Sequence, residues 1–184
     1  MQRIYRRLTK LLTYWYYWIL DYIYVSFWQI VGLFKKTRVG AFLKTPTHPL
    51  PTHIILVPGV YERWDFMKPI ARIILQGHYP VHVVEGLGFN NKTIEEAAFA
   101  VEAYIKDKDL KNCLIVAHSK GGLIGKYLMS FSAVADRIHG MVALNTPFNG
   151  SVYARAFILP AVRVFIPNSP ILQKLATSKD INSR

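Results

Sequence analysis

Four short apolar runs alternate with helical patterns along the middle of the chain. The runs are His53–Val57, Val81–Val84, Cys113–Val116 and Met141–Leu144. Each has the length of a fully buried strand, and between them apolar residues recur at helical spacing. Buried strands that alternate with helices predict the α/β class, with a mostly parallel sheet and helices on both faces. The functional sites of such sheets lie at the carboxyl ends of the strands.

Three connecting helices follow from the spacing of their apolar residues. The residues that mark them are Phe66, Ile70, Ile73 and Ile74 for the first, Ala97, Val101, Tyr104 and Ile105 for the second, and Leu123, Ile124, Tyr127, Leu128 and Phe131 for the third. The second helix has a start signal, because Thr93 and Glu96 stand at the spacing of a capping box.

The N-terminal region is a long apolar and aromatic stretch with basic flanks. Between Lys10 and Lys35 lie 24 residues whose only charge is Asp21. About 20 apolar residues span a bilayer core, and Trp and Tyr concentrate at membrane interfaces. Residues 1–40 therefore predict a membrane-associated helix, either a transmembrane helix or one that lies in the interface. Its orientation stays open because both flanks are basic, and an aromatic helix packed on the domain is the alternative.

The charge distribution favours a lipid partner over a nucleic acid. The chain carries a net charge of +12, and residues 1–40 supply half of it. Basic residues beside an apolar segment are typical of proteins at anionic membranes. Zinc-finger spacing and RNA-binding aromatic signatures are absent from the sequence, as are cofactor motifs and metal-ligand clusters. We therefore expect neither a nucleic-acid partner nor a metal or cofactor, and we predict no obligate protein partner. Residues 41–52, with three prolines, are a predicted linker into a domain over 53–184.

The chemistry centres on Ser119, which stands between the third apolar run and the helix after it. A serine at the apex of a tight strand-to-helix turn adopts a strained backbone that lifts its hydroxyl clear of the sheet. Such a turn needs small residues on both sides, and Ala117 and Gly121 satisfy this. The amide of Lys120 would point at the reacting atom from the positive end of the helix. A phosphate-binding loop is disfavoured because the lysine follows the serine, in contrast to the P-loop order.

This stretch resembles the nucleophile elbow of the α/β-hydrolase family, and within it the lipases and esterases. Its Ala-His-Ser-Lys-Gly-Gly sequence, ending at Gly122, is similar to the form found in small bacterial lipases. Two further stretches carry the likeness, Leu56-Val-Pro-Gly-Val60 after the first run and Leu144-Asn-Thr-Pro-Phe-Asn-Gly-Ser151 after the fourth. The likeness covers about residues 53–151.

The resemblance implies roles for a small set of residues. Ser119 would be the nucleophile, and the amides of Val60 and Lys120 would form the oxyanion hole. Tyr61 is a rival donor because the chain departs from the His-Gly-Gly-Gly form of lipases. Ala117, Gly121 and Gly122 would shape the elbow.

Other chemically capable side chains have a structural interpretation. We expect the ring of His118 to pack away from Ser119, and the side chain of Lys120 to be solvated. Tyr61 and Trp64 are expected in the core, with an acyl pocket as the alternative. The remaining residues expected away from the site are His53, His78, His82, Asp136 and His139.

The rest of a catalytic triad is not visible after the serine. In α/β-hydrolases the acid and then the histidine follow the nucleophile along the chain, yet the only histidine after Ser119 is His139. We therefore expect the N-terminal part of a longer hydrolase, truncated before the acid and the histidine and nearly inactive as it stands. Residues 177–184 would lead toward a further strand. A cap or lid would begin at about 152–176, with an ordinary core helix as the alternative.

These observations predict a serine hydrolase. Its substrate would be a lipid or another lipophilic carboxylic ester, cleaved through an acyl-enzyme on Ser119. A membrane-tethered acyltransferase that uses the same elbow, and a catalytically inactive binding domain, are the alternatives.

Overall fold

The structure is a computed structural model that describes residues 2–34, 38–44 and 46–178. Its helices are α1 Gln2–Phe34, α2 Val39–Phe42, α3 Lys68–Gln76, α4 Ile94–Asp107, α5 Lys120–Phe131, α6 Pro160–Arg163 and α7 Pro170–Thr177. Its strands are β1 His53–Val57, β2 Val81–Val83, β3 Cys113–His118 and β4 Ile138–Leu144. Short 3₁₀ helices lie between them at Trp64–Met67, Glu85–Leu87, Ala135–Arg137 and Val152–Ala156.

The four strands form one parallel sheet in the order β2-β1-β3-β4. This confirms the predicted α/β class with a mostly parallel sheet. All four strands point the same way, so the loops after them meet at one edge, where Ser119 follows β3. Among the described residues, no further strand pairs with the outer side of β4.

β4 begins earlier than its apolar run predicts. The strand starts at Ile138 and includes His139 and Gly140, whereas the apolar run begins at Met141. Ile138 pairs with Cys113 and Gly140 with Leu114, with a register shift between the two pairs. Backbone pairing extends the strand through two residues that give no apolar signal.

Alternate residues of the central strands fill two separate cores. Ile55 and Val57 of β1 belong to the larger core, which α4 and α5 cover. Ile54 and Leu56 face the opposite core, where α3 packs. Helices therefore cover both faces, as predicted, because successive side chains of a strand point to opposite sides.

The capping box at the start of α4 forms as the sequence predicts. The Thr93 hydroxyl accepts a hydrogen bond from the Glu96 amide at 3.1 Å, and the Glu96 carboxylate accepts from the Thr93 amide at 2.9 Å. The hydrogen bonds that the Glu96 carboxylate accepts from the Thr93 amide and, at 2.9 Å, from the Thr93 hydroxyl lower the pKa of Glu96. The start of α4, and with it the end of the loop after β2, is thereby fixed.

Two residues assigned to buried helical faces are exposed. Ile73 in α3 is 69% exposed and Phe131 in α5 is 42% exposed. In α3 the buried face runs through Ile70, Ala71 and Ile74, which leaves Ile73 on its outer side. Apolar spacing locates a helix better than it fixes the width of the buried face.

The N-terminal helix α1 lies against the 3₁₀ helix Trp64–Met67. Wherever its side chains are described between residues 6 and 30, they are exposed. In the described part of the chain, no helix combines the length and the apolarity needed to cross a membrane. The transmembrane form of the prediction is therefore not supported. Association with a membrane surface stays a prediction.

Helix α5 approaches the end of β1 closely at a glycine. A side-chain carbon added at Gly121 would overlap the carbonyl oxygen of Val57, and one added at Gly122 would overlap the side chain of Thr146. The obstacle at Gly121 is backbone, which cannot rotate aside. The small residues predicted after Ser119 are therefore required by the contact between helix and strand.

The change Gly121→Ala should destabilise the fold by about 1–3 kcal/mol, because the added methyl pushes α5 away from β1. Urea unfolding of the two proteins gives the difference. The matched control is Gly86→Ala, since a side-chain carbon there meets no atom within 4 Å. Equal midpoints for the Gly121 variant and the parent would contradict this account of the helix–strand contact.

Candidate active site

Ser119 adopts the backbone conformation of a nucleophile elbow. Its φ is 50° and its ψ is −118°, a region that few residues other than glycine adopt. The Ser119 amide donates to the Leu144 carbonyl at 2.8 Å, and the Thr146 hydroxyl donates to the Ser119 carbonyl at 2.9 Å. These bonds hold both peptide groups of the strained residue. Thr146 belongs to the Thr-Pro stretch after the fourth run.

The Ser119 side chain remains available for chemistry. The residue is half-buried and precedes α5, but its hydroxyl does not cap the helix. The amide of Lys120 opens α5, where the first amides of a helix have no acceptor within it. The hydroxyl therefore lies beside the positive end of a helix. Its role as nucleophile stays a prediction.

The loop after β1 forms a tight turn from Gly59 to Glu62. The Glu62 amide donates to the Gly59 carbonyl at 3.2 Å, and Tyr61 has a positive φ of 56°. Among the described residues, the amides of Val60 and Lys120 have no protein acceptor. Both are thus free to bind an oxyanion. The Tyr61 amide has no acceptor among the described residues either, so Tyr61 remains the alternative to Val60 as a donor.

His118 faces a buried carboxylate rather than the nucleophile. Its Nδ1 lies 2.8 Å from Oε2 of Glu62, whose side chain is only 5% exposed. The Phe66 ring packs beside the imidazole, with centroids 4.8 Å apart. Among the described residues, no hydrogen bond joins His118 to Ser119, in agreement with the sequence-based expectation. Glu62 itself was missed, because no local pattern distinguishes it from a surface acid.

The expectation of a solvated Lys120 side chain is wrong. Lys120 is fully buried, and its ammonium group donates to the carbonyls of Asn90, at 2.9 Å, and of Lys92. Burial lowers its pKa to about 8. The side chain runs beneath the loop after β2, whose carbonyl groups replace water as partners. Sequence position beside a catalytic serine gives no sign of this packing.

Asn90 is a second residue that sequence reasoning missed. It is fully buried with a φ of 47°, and its side-chain amide donates to the Pro58 carbonyl at 2.6 Å. Among the described residues its Oδ1 has no hydrogen-bond partner. Asparagine tolerates the left-handed region better than most residues, which suits it to this turn.

The two aromatic candidates behave differently. Trp64 is buried in the smaller core against Phe42, so the core prediction is confirmed. Tyr61 is 41% exposed, so the same prediction for it is wrong.

A cavity of about 930 Å³ lies beside this loop, between the loops after β1 and β2 and the segment around α2. Pro58, Trp64, Arg63 and Glu85 are part of its wall. Ser119 does not line it. The cavity therefore borders the loop after β1 without including Ser119 in its wall.

His78 precedes β2, and the other histidines lie within strands, His53 in β1, His82 in β2 and His139 in β4, away from the edge where Ser119 follows β3. His53 and His82 are joined through Nδ1 and Nε2 at 2.9 Å, and His82 contacts the Tyr104 hydroxyl at 3.2 Å. Burial, with a smaller effect of His53, lowers the pKa of His82 to about 4. His78 and His139 are exposed. This matches the structural interpretation of all four.

Asp136 is in the 3₁₀ helix Ala135–Arg137, which precedes β4, also away from the edge where Ser119 follows β3. No cluster of three or more possible metal ligands occurs within the described residues.

The segment predicted as a cap contains both exposed and buried apolar residues. Tyr153 is 79% exposed and Ile158 is 89% exposed, whereas Phe165, Leu172 and Leu175 are buried in the larger core. Because the segment 152–176 has both exposed and buried apolar residues, its burial does not distinguish a cap from a core helix, and the cap stays a prediction. Residues 179–184, expected to approach a further strand, lie outside the described residues.

Comparisons with known proteins identify the fold. No protein-family model matches the sequence, and no curated protein matches it. The mature lipase BlEst2 of Bacillus licheniformis is similar in structure, with a TM-score of 0.63, 18% identity, and coverage of 75% of this chain and 64% of the lipase. Lipase B of Aspergillus fumigatus gives a TM-score of 0.59 at 14% identity, over 78% of this chain and 39% of the lipase.

A third similar structure is the phospholipase PlaB of Legionella pneumophila. Its TM-score is 0.52 at 15% identity, over 68% of this chain and 35% of the phospholipase. The chain thus spans less than two thirds of the length of each of these enzymes. At these identities the likeness concerns the fold, which for this chain is the α/β-hydrolase fold of lipases and esterases.

Proposed function

We propose that the protein is a serine hydrolase of carboxylic esters with Ser119 as its nucleophile. The observation that carries the proposal is the strained backbone of Ser119, with φ 50° and ψ −118°, between a parallel strand and a helix. Strain of this kind costs about 1–3 kcal/mol and persists where it serves a purpose. Presenting a hydroxyl above the sheet is such a purpose.

The proposed reaction has two steps. Ser119 Oγ attacks the ester carbonyl carbon and gives its proton to a general base, while the carbonyl oxygen becomes an oxyanion. The free amides of Val60 and Lys120 donate to that oxyanion. The C–O bond then breaks, the alcohol leaves with a proton, and water later hydrolyses the serine ester in the same way.

The general base of this reaction is not identified among the described residues. Within the described residues, no histidine forms a hydrogen bond with the Ser119 hydroxyl, and the Nδ1 of His118 is engaged by Glu62. The proposal therefore assigns the general base to none of the described residues.

The proposal of a lipophilic substrate is supported by apolar side chains in the segment that follows β4. The exposed ones are Phe148, Val152, Tyr153, Phe157, Ile158 and Leu159. The chain leaves β4 at Leu144, at the same edge as Ser119, so this surface begins near the nucleophile. Exposed contiguous apolar surface marks binding sites for apolar partners.

Helix α1 supports a proposed location at a membrane surface. It carries exposed Trp15, Tyr16, Trp18 and Tyr22 on a helix that begins with basic residues. Aromatic side chains of this kind favour the headgroup region, where anionic lipids also attract Lys and Arg.

Ser119→Ala should abolish the slow covalent labelling that an excess of fluorophosphonate probe produces. The serine hydroxyl displaces fluoride at phosphorus, and the oxyanion hole and binding retain a rate about 10³–10⁴ above that in water when a triad histidine is missing. Intact-protein mass spectrometry measures the adduct. Ser130→Ala is the matched control, since that half-buried serine lies in α5 and bonds the Lys126 carbonyl. Equal labelling of the Ser119 variant and the parent would rule out the assignment.

Ester turnover by the 184-residue chain should be close to background. Loss of the triad histidine costs about 10⁶ in kcat where a triad has been dissected. Hydrolysis of p-nitrophenyl esters of increasing chain length measures it. Robust turnover that depends on Ser119 would contradict this expectation and make His118 the candidate base.

Removal of residues 1–34 should release the protein from anionic vesicles, because each basic residue near such a surface contributes about 1 kcal/mol. The measurement is sedimentation with vesicles of phosphatidylcholine and phosphatidylserine. Vesicles of phosphatidylcholine alone separate the aromatic from the electrostatic contribution. A full chain that stays in the supernatant with both vesicle types would refute membrane association.

A further inference from the structure

We call residues 58–63, the loop after β1, the oxyanion loop, because it contains the proposed donor Val60. One of its peptide groups is held at both of its polar ends. The Pro58 carbonyl accepts from the Asn90 side-chain amide at 2.6 Å. The Gly59 amide, in the same peptide group, donates to Oε2 of Glu62 at 2.8 Å. A peptide group is planar, so two bonds on opposite edges fix its rotation about the chain.

The two residues whose side chains hold this peptide are themselves held by the neighbours of Ser119. His118 precedes the serine, and its Nδ1 contacts the same Glu62 oxygen at 2.8 Å. Lys120 follows the serine, and its ammonium group donates to the backbone carbonyl of Asn90 at 2.9 Å. The elbow and the oxyanion loop are therefore joined on both sides of the nucleophile.

The residue types match this arrangement closely. A side-chain carbon at Gly59 would lie 2.7 Å from Oε2 of Glu62, so only glycine lets the carboxylate reach the amide. Glu62 is 5% exposed and Asn90 is fully buried. Burying such polar groups is costly unless hydrogen bonds compensate. Neither residue contacts the predicted nucleophile. A direct part in catalysis therefore does not explain the free-energy cost of burying them.

The next peptide group contains the predicted oxyanion donor. Its amide belongs to Val60, whose side chain packs against the larger core. With the preceding peptide fixed and the Val60 side chain anchored, little rotation is left for the Gly59–Val60 peptide. Donors that are already oriented stabilise an oxyanion without reorganising during the reaction.

We propose that Glu62 and Asn90 are positioning residues that orient the Val60 amide toward the oxyanion by fixing the Pro58–Gly59 peptide. The inference rests on the proposed function. It assigns two residues outside the elbow to the same site, and it gives His118 a role in holding Glu62.

The first test follows the loop without any need for activity. Amide hydrogen exchange of Gly59, measured by NMR on the full chain, should accelerate about tenfold or more in Glu62→Ala, because the hydrogen bond that protects the amide is lost. Glu62→Gln keeps an oxygen acceptor and should exchange close to the parent rate.

The second test measures the consequence for the serine. Asn90→Gly keeps the left-handed backbone and removes only the side-chain amide. Its rate of fluorophosphonate labelling at saturating probe should fall about tenfold or more, since loss of an entire oxyanion donor costs about 10²–10³. Glu62→Ala should show the same fall, and Glu62→Gln should recover the rate.

Asn112→Gly is the matched control at the far edge of the sheet. Asn112 also has a positive φ, 54°, and its side-chain amide also donates to a proline carbonyl, that of Pro51 at 3.2 Å. This variant should lose thermal stability like Asn90→Gly but label at the parent rate. Equal loss of labelling in both glycine variants would reduce the role of Asn90 to general stability and overturn the proposal.

The two proposals fail in different ways. A parent protein that even excess probe never labels at Ser119 refutes the proposed function, and the exchange experiment still decides whether Glu62 fixes the loop. Parental exchange at Gly59 in Glu62→Ala overturns the inference, whether or not the parent is labelled. Labelling of Glu62→Ala and Asn90→Gly at the parent rate overturns it as well.

Discussion

The close approach of α5 to the end of β1 is the contact on which the site depends. With no side chain at Gly121, the first turn of the helix lies directly against the carbonyl of Val57. The chain then has no room for a gradual turn between β3 and α5. Ser119 takes up the resulting strain, with bonds from its amide to Leu144 and to its carbonyl from Thr146. One packing distance thus sets the conformation of the candidate nucleophile.

Around that contact, the structure gathers its buried polar groups at one edge of the sheet. Glu62 and Asn90 come from the loops after β1 and β2, Lys120 opens α5 after β3, and each is buried. Parallel strands bring these loops together, and hydrogen bonds between them offset the cost of removing polar groups from water. An apolar core could hold the sheet equally well. The polar contacts instead give the loops a defined relative position, which a reacting site needs.

Much of the architecture was accessible from the sequence because it depends on local patterns. Apolar runs located the four strands, and Thr93 with Glu96 located the start of α4. The errors fall where burial depends on distant partners. Ile73 lies outside the buried face of its helix, and β4 includes Gly140 because β3 offers backbone partners there. The spacing of residues in a sequence does not report which surface a neighbour covers.

The same division applies to the site. By itself the sequence determined that Ser119 stands at a tight strand-to-helix turn, because small neighbours and an apolar strand are local requirements. Only the tertiary structure decided that Lys120 is buried against the Asn90 backbone carbonyl. It also decided that Asn90 bonds the Pro58 carbonyl and that Glu62 contacts His118. The Asn90–Lys120, Asn90–Pro58 and Glu62–His118 contacts join residues 30, 32 and 56 positions apart, whereas Glu62 and Gly59 are only three apart. The three long-range contacts depend on how three loops meet at the sheet edge, which the packing of the helices on the sheet controls.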